Sequence, residues 1–130
     1  MLVLDTSILI DIEKEVIPTI KRIEELSKIY PLLPKITFIT EFEFTYGLVD
    51  KNEKNKQKAL SFLTNFETLF PTKKTALALA TLKHKYEKRG IILSLSDLLI
   101  ASITIENNYV LVTKDNDFQP IEELQKIIVS

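Results

Sequence analysis

Short apolar runs alternate along the chain with longer segments in which apolar residues recur every three or four positions. Runs of the first kind occupy residues 2–4, 36–39, 69–70, 110–113 and 127–129. Continuous apolar, β-branched or aromatic runs of this length are typical of strands buried on both faces of a parallel sheet. The pattern therefore predicts four to five short strands.

The segments between these runs predict amphipathic helices. Val16, Ile20, Ile23 and Leu26 recur at helical spacing, and Pro18 is tolerated in a first helical turn. Further apolar stripes or caps predict helices over residues 59–66, 76–89 and 97–107, with a turn or broken helix over 47–55.

Small polar residues mark where helices begin, and a glycine marks where one ends. Residues 5–7 read Asp-Thr-Ser directly after the first strand, which predicts a strand-to-helix turn. Thr40 is predicted to cap the helix that carries Glu43, and Ser94 or Ser96 to cap the helix over 97–107. Gly90 is a natural C-terminal cap.

Strands that alternate with helices predict an α/β fold. The expected architecture is a central, mostly parallel sheet of four to five strands with helices on both faces and right-handed crossovers. Ligands of such sheets bind beyond the carboxyl ends of the strands. A chain of 130 residues, of which 45% are hydrophobic and 27% charged, fits one globular domain over 1–130.

The composition narrows the chemistry of any metal site. The absence of cysteine excludes thiolate ligands, disulfides and a cysteine nucleophile, and the single histidine, His84, excludes a histidine cluster. His84 lies among Lys83, Lys85 and Lys88 on a predicted helix face, which indicates a solvated residue. Ligands must then be mainly oxygen atoms, which favours Mg²⁺ or Mn²⁺.

Neither the N-terminus nor any internal segment predicts a membrane protein. The N-terminus lacks a basic region followed by an apolar stretch, and Asp5 and Asp11 interrupt the early apolar run. No run is long enough to cross a bilayer. We therefore expect a cytoplasmic protein. The net charge of −1 does not indicate a nucleic-acid partner by itself.

Several carboxylates are predicted to converge on one edge of the sheet. Asp5 and Asp115 follow strands, and Asp97 lies in the first turn of a helix. Each one alone is explained as a cap or as an anion at the positive end of a helix. Clustered carboxylates repel one another unless a cation or proton intervenes. A divalent cation removes that conflict and activates water for phosphodiester hydrolysis.

Four segments together carry a resemblance to a known family. They are Leu2-Val3-Leu4-Asp5-Thr6-Ser7, Thr40-Glu41-Phe42-Glu43-Phe44-Thr45-Tyr46-Gly47, Ser96-Asp97-Leu98-Leu99-Ile100-Ala101-Ser102 and Leu111-Val112-Thr113-Lys114-Asp115-Asn116-Asp117-Phe118. In this order the chain resembles a PIN-domain ribonuclease, and most closely a small stand-alone toxin of the VapC type. The resemblance spans essentially the whole chain and implies a PIN-like nuclease domain.

The resemblance implies a metal-binding and catalytic set of Asp5, Glu43, Asp97 and Asp115. Thr6 or Ser7 would support the site through hydroxyl contacts. Glu43 is preferred over Glu41, because the family glutamate lies three residues after a threonine and four before a glycine, as Glu43 does relative to Thr40 and Gly47.

The last motif leaves the fourth ligand open. Asp115 is favoured, but Asp117 also occupies a position that is often acidic in the family, and it would bind a second metal or cap the turn. Asp11 resembles another acidic position, for which a surface or buffering role is expected. Leu95 stands where an additional acid often precedes the third motif, which argues against a fifth ligand.

The resemblance also implies RNA as the substrate, a VapB-type antitoxin as a partner and a homodimer. Two lysine-rich segments, over 51–58 and 73–89, are candidate phosphate contacts or simply solvated helix faces. The apolar residues Ile8, Leu9, Ile12, Phe42 and Phe44 are explained either by core packing or by a groove for the antitoxin tail.

Three alternatives remain open. A phosphotransferase of the haloacid-dehalogenase type needs an acid two residues after Asp5, where the chain has Ser7. A signalling receiver module would use Asp50 as its phosphate acceptor and Lys114 as its late lysine, but Asp50 follows an apparent helix. The third alternative is a PIN-domain RNA-processing or regulatory protein without toxin activity.

Overall fold

The computed structural model describes residues 1–129, and in this part of the chain strands and helices alternate as expected. The strands are β1 (Leu2–Leu4), β2 (Ile36–Thr37), β3 (Thr68–Leu69), β4 (Val110–Thr113) and β5 (Lys126–Ile128). The helices are α1 (Thr6–Glu13), α2 (Ile17–Ile29), α3 (Phe38–Tyr46), α4 (Glu53–Leu63), α5 (Lys73–Lys88) and α6 (Leu95–Glu106). A 3₁₀ turn covers Asn116–Phe118.

All strand pairs are parallel, which confirms the predicted α/β class. The main sheet has three strands in the order β1-β4-β5, and β2 and β3 form a second, two-stranded sheet. A parallel bridge between Val3 and Lys35, with backbone hydrogen bonds on both sides of it, joins the two sheets through β1. The predicted central sheet of four to five strands is thus split at this bridge.

Side chains of the central strands alternate between two apolar cores. Leu2, Leu4 and Val112 belong to the core that α1, α2 and α4 cover, whereas Val3 and Leu111 belong to the core covered by α5 and α6. Successive residues of a strand point to opposite faces, so both faces of the sheet are buried. This explains why the strands read as continuous apolar runs.

The start of α3 corrects the prediction for residues 36–40. The strand ends at Thr37 and not at residue 39, and Thr37 rather than Thr40 caps the helix. The Thr37 hydroxyl accepts a hydrogen bond of 3.2 Å from the backbone N–H of Thr40. This cap overrides the β propensity of Phe38 and Ile39, which form the first helical turn instead.

The helix predicted over 59–66 is corrected to Glu53–Leu63, because Asn52 caps it and its first turn occupies part of the predicted turn over 47–55. The other boundaries agree with the predictions to within a few residues. Ser94 caps α6, and Gly90 follows Arg89, the cap residue at the end of α5, with a φ of 74°, a left-handed conformation that favours glycine. Among residues 1–129, no helix is both long and apolar enough to cross a membrane.

Candidate active site

Parallel pairing of β1 with β4 brings two distant segments of the chain to one edge of the sheet. Asp5 follows β1 and Asp115 follows β4 after one intervening residue. The ladder between these strands extends to Asp5, whose backbone N–H donates to the carbonyl of Val112 at 2.9 Å. The carboxyl ends of adjacent parallel strands therefore position both aspartates.

Helix α6 and the 3₁₀ turn bring two more carboxylates to this edge. Asp97 lies in the first turn of α6, where its backbone N–H donates to the Ser94 hydroxyl at 3.1 Å. Carboxylate oxygens of Asp97, Asp115 and Asp117 all lie within 4.8 Å of one another. Asp97 and Asp115 are half-buried and Asp117 is exposed. Both candidates for the fourth position thus lie in this acidic cluster.

The environment of Asp97 disfavours its charged form. Burial raises the pKa of its carboxyl to about 6, a hydrogen bond from Ser94 opposes the shift, and the charges of Asp115, Asp5 and Asp117 add to it. A carboxyl with this pKa exchanges its proton near neutral pH. The acidic cluster therefore carries electrostatic repulsion that a bound cation would relieve.

Asp5 is more deeply buried than the acidic cluster, with an exposed fraction of 5%. One of its oxygens accepts hydrogen bonds from the hydroxyls of Thr113 at 2.7 Å and Ser7 at 3.1 Å. Burial raises the pKa of Asp5, these hydrogen bonds lower it, and the charge of Asp115 raises it further, so that the net shift is upward. Asp5 is thus not one of the three carboxylates that lie within 4.8 Å of one another. Its charge nevertheless contributes to the raised pKa of Asp97.

Two hydroxyl groups connect Asp5 to the segment after β4. The Thr113 hydroxyl that donates to Asp5 also accepts from the backbone N–H of Asp115 at 2.9 Å. The Ser7 hydroxyl likewise accepts from the N–H of Lys114 at 3.2 Å. These contacts fix the backbone that carries Asp115. Thr113 was missed by sequence reasoning, although its place between a strand and an acidic residue was a usable signal.

Glu43 lies outside the three-carboxylate cluster and faces α1. Its carboxylate accepts a hydrogen bond of 2.7 Å from the hydroxyl of Thr6, the residue next to Asp5. Glu41 instead accepts from the Thr68 hydroxyl at 3.3 Å, on the side of β3. The preference for Glu43 over Glu41 thus agrees with the direction in which the two side chains point.

Asp11 takes part in a separate contact beside the site. Its carboxylate accepts hydrogen bonds of 2.7 Å from both Thr19 and the Lys114 ammonium group. Burial acts to raise the pKa of Asp11, but the hydrogen bonds and charge of Lys114 and the Thr19 contact lower it overall. This residue ties α1 to α2 and to the segment after β4, and Lys114 is held there.

Several other sequence candidates lie away from the carboxylates. Asp50 is exposed in the turn after α3 and does not follow a strand, so its position does not support the receiver interpretation. His84 is exposed on α5, as expected. Ile8, Leu9 and Phe44 are buried in the core, whereas Phe42 is 57% exposed.

A family model described as "PIN domain" matches residues 2–124, which is nearly the whole described chain. The chain belongs to the PIN-domain family. The acidic cluster of Asp97, Asp115 and Asp117, together with Asp5, therefore lies at the edge of the main sheet of a PIN domain, beyond the carboxyl ends of β1 and β4.

Two curated proteins and one solved structure are similar to this PIN domain. Ribonuclease VapC1 of Methanocaldococcus jannaschii is 30% identical over 123 residues, covering 94% of this chain and 82% of the relative. Ribonuclease VapC2 of Rickettsia felis is 34% identical over 92 residues, covering 68% of this chain and 69% of the relative. The fold matches VapBC2 of Rickettsia felis bound to a promoter DNA fragment, with a TM-score of 0.86, 27% identity and coverage of 99% and 98%.

Proposed function

We propose that this PIN domain is a metal-dependent endoribonuclease that hydrolyses RNA phosphodiesters. The observation that carries the proposal is the convergence of carboxylate oxygens of Asp97, Asp115 and Asp117 within 4.8 Å, with the buried carboxylate of Asp5 coupled to Asp97 electrostatically. Such a cluster is costly without a cation. The two relatives, both called ribonuclease VapC, supply the reaction class.

The donor atoms fit a hard divalent cation such as Mg²⁺ or Mn²⁺. Ligand oxygens around Mg²⁺ lie about 2.1 Å from the ion and so at most about 4.2 Å from one another. Oxygens within 4.8 Å approach that spacing with small side-chain movements. Asp97, Asp115 and Asp117 would hold the ion, and Asp5 and Glu43 would complete the site. When bound, the ion would polarise the phosphoryl oxygen and lower the pKa of water.

The protein's own residues would orient the site and exchange protons. Ser7 and Thr113 keep the Asp5 carboxylate in place, and Thr6 directs Glu43 toward the same edge. Asp97, with a pKa of about 6, is protonated at lower pH and ionised at higher pH, and only the ionised carboxylate can bind a cation. Activity should therefore decrease as the pH falls through this value.

The test is cleavage of a single-stranded RNA by the pure protein with Mg²⁺, with Mn²⁺ and with EDTA. Asp97→Asn and Asp115→Asn should lose cleavage, whereas Asp50→Asn, a change of the same kind in an exposed turn, should retain it. Cleavage that persists in EDTA, or that survives Asp97→Asn, would overturn the metal-dependent mechanism. Comparing the cleavage rates of Asp115→Asn and Asp117→Asn would decide which of the two aspartates contributes more to activity.

The proposed biological role is the toxin of a toxin–antitoxin pair, with a VapB-type antitoxin as its protein partner. The similarity to the VapBC2 complex, which covers 99% of this chain, supports this role. We also propose a homodimer, which native mass spectrometry would detect. Induced expression should arrest growth, and co-expression of the antitoxin should restore it. Harmless expression of an active nuclease would instead assign the protein to RNA processing.

A further inference from the structure

A surface cavity of about 410 Å³ lies next to Glu43, between α1, α3 and α4. Three lysines line it: Lys14 at the end of α1, Lys51 in the turn after α3 and Lys58 on α4. Glu43 lines the same cavity, so the lysines lie beside the proposed reaction site. Residues far apart in sequence thus form one basic surface, which we call the lysine cavity.

The three lysines are available for a ligand. All three are exposed, and none forms an ion pair with a carboxylate anywhere in residues 1–129. Part of the second basic segment is instead engaged in ion pairs, because Lys83 pairs with Glu87, Lys85 with Glu122 and Glu123, and Arg89 with Glu122. The three lysines of the cavity differ from these residues in having no ion-pair partner among residues 1–129.

The charge balance of the lysine cavity favours an anion. Glu13 and Glu43 also line it, so three ammonium groups face two carboxylates. The Glu43 carboxylate is already engaged by the Thr6 hydroxyl, and in the proposed function it contributes to the metal site. Lysine ammonium groups bind phosphates as compact point charges.

The floor of the lysine cavity is apolar and has room beside a glycine. Phe44 and Leu48 are buried beneath it. Gly47 has a right-handed helical backbone with φ −63°, so its conformation does not require glycine. A Cβ atom there would lie 3.4 Å from the carbonyl oxygen of Phe44, an ordinary contact. A larger side chain at residue 47 is therefore compatible with the backbone and would reduce the space.

We propose that the lysine cavity binds the phosphodiester backbone of the RNA next to the scissile bond, with Lys14, Lys51 and Lys58 as phosphate contacts. This inference rests on the proposed ribonuclease function and adds the site that holds the flanking nucleotides. The lysines lie outside the carboxylate cluster, so they contribute to substrate affinity and not to the chemical step.

The first experiment compares two triple variants with the same change in net charge. One is Lys14→Gln/Lys51→Gln/Lys58→Gln, and the control is Lys21→Gln/Lys28→Gln/Lys74→Gln, in which all three lysines are exposed and lie outside the cavity. Relative to the control, we expect the cavity variant to raise KM for single-stranded RNA at least about ten-fold with kcat within about two-fold. The dependence of log affinity on log salt should become shallower by about 2, since each phosphate contact on a single strand contributes about 0.7.

The second experiment fills the cavity without changing its charge. Gly47→Leu in an Asp97→Asn background should weaken binding of a fluorescein-labelled single-stranded RNA, measured by anisotropy, and leave the melting temperature unchanged. Thr45→Leu, also exposed on α3 but outside this cavity, is the control. Gly47→Leu should weaken the binding of a DNA strand of the same sequence to a similar extent, because the proposed contacts are to phosphates.

The outcomes separate this inference from the proposed function. If the wild-type protein does not cleave RNA, the ribonuclease proposal fails. If it cleaves RNA and the cavity triple variant has the KM and salt dependence of its control, only the lysine cavity is overturned. A third outcome is that Gly47→Leu releases a co-purified protein partner and leaves RNA affinity unchanged. That result would assign the cavity to the protein partner and would also overturn the inference.

Discussion

The acidic residues of the candidate site differ in what surrounds them. Asp5 is buried and held by two hydroxyls, Asp97 is half-buried with a pKa of about 6, and Asp117 is exposed. A cluster of this kind binds cations at a cost to the stability of the metal-free protein. Removing one charge should therefore stabilise the fold while it weakens the site.

Asp97→Asn should raise the melting temperature of the metal-free protein at pH 8. The folded-state pKa of about 6 lies above the reference value of 3.8. Between these values the folded protein holds a proton that the unfolded chain has released, so the contribution of Asp97 to the free energy of unfolding decreases as pH rises through this window. Above pH 6 the wild-type protein has lost this contribution to the free energy of unfolding. Asp97→Asn has no carboxyl group to titrate and does not lose it. In a domain of this size we expect the melting temperature to rise by about 4 °C for each kcal/mol gained in the free energy of unfolding.

Thermal melts in EDTA at pH 8 and pH 5 measure this effect. The stabilisation should be present at pH 8 and should shrink toward pH 5, where Asp97 is largely protonated in the wild type. Asp50→Asn removes the same charge from an exposed turn and should change little at either pH. A variant that melts lower than the wild type at pH 8 would show that the Asp97 carboxylate stabilises the fold, contrary to this prediction.

Thr113→Val should weaken metal binding without removing a carboxylate. The change deletes the hydroxyl that donates to Asp5 and accepts from the N–H of Asp115. Loss of such a supporting contact lowers metal affinity by about 10- to 100-fold. Titration of cleavage against Mn²⁺ concentration measures it. Thr104→Val is the control, since Thr104 is also buried but its hydroxyl donates only within α6, to the carbonyl of Ile100. If both variants reach half-maximal cleavage at the same Mn²⁺ concentration, Thr113 does not have this role.

At the scale of elements, sequence patterns predicted the strands and helices better than their boundaries. Apolar runs located the five strands of residues 1–129, of which β1, β2 and most of β4 are buried on both faces, whereas β3 and β5 are half-buried. The start of α3 could not be read from propensity, since Thr37 and Thr40 are both good caps and Phe38 favours strands. The choice depends on where pairing with β3 ends, which is a tertiary feature.

The same limits apply to the site. Spacing within the motif favours Glu43 over Glu41, and in the structure Glu43 contacts Thr6 next to Asp5 whereas Glu41 contacts Thr68. Spacing left Asp115 and Asp117 unresolved because the turn after β4 brings both carboxylates into the cluster. The lysine cavity was also beyond sequence reasoning, because Lys14 lies far along the chain from Lys51 and Lys58 and meets them through packing of α1 against α3.

Thr37→Val tests the cap that starts α3. The substitution keeps the β-branched shape in this fully buried position and removes the hydroxyl that accepts from the N–H of Thr40. We expect a loss of about 1 kcal/mol in the free energy of unfolding, the usual cost of a lost N-terminal cap. Urea denaturation measures it. Thr45→Val, at an exposed position of the same helix, should cost much less. Similar losses in both variants would contradict the assigned cap.

At the scale of the whole molecule, the site exists only when the fold is complete. Asp5 and Asp115 come from opposite ends of the chain and meet through the pairing of β1 with β4. Asp97 joins them because α6 packs on the same sheet, with Ile100 and Ala101 in its core. An unfolded chain has no such cluster, so a cation that binds it should stabilise the folded state.

Mn²⁺ or Mg²⁺ should therefore raise the melting temperature of the wild-type protein, with a gain that depends on pH. A ligand at 100 times its Kd stabilises a folded protein by about 2.7 kcal/mol. Because protonation of Asp97 near pH 6 competes with the metal, the gain should be larger at pH 8 than at pH 5.5. Differential scanning fluorimetry at several metal concentrations measures it, with Ca²⁺ as a comparison ion. Asp97→Asn should reduce the gain, and Asp50→Asn should preserve it. An equal gain in both variants would mean that the stabilising ion binds outside the carboxylate cluster.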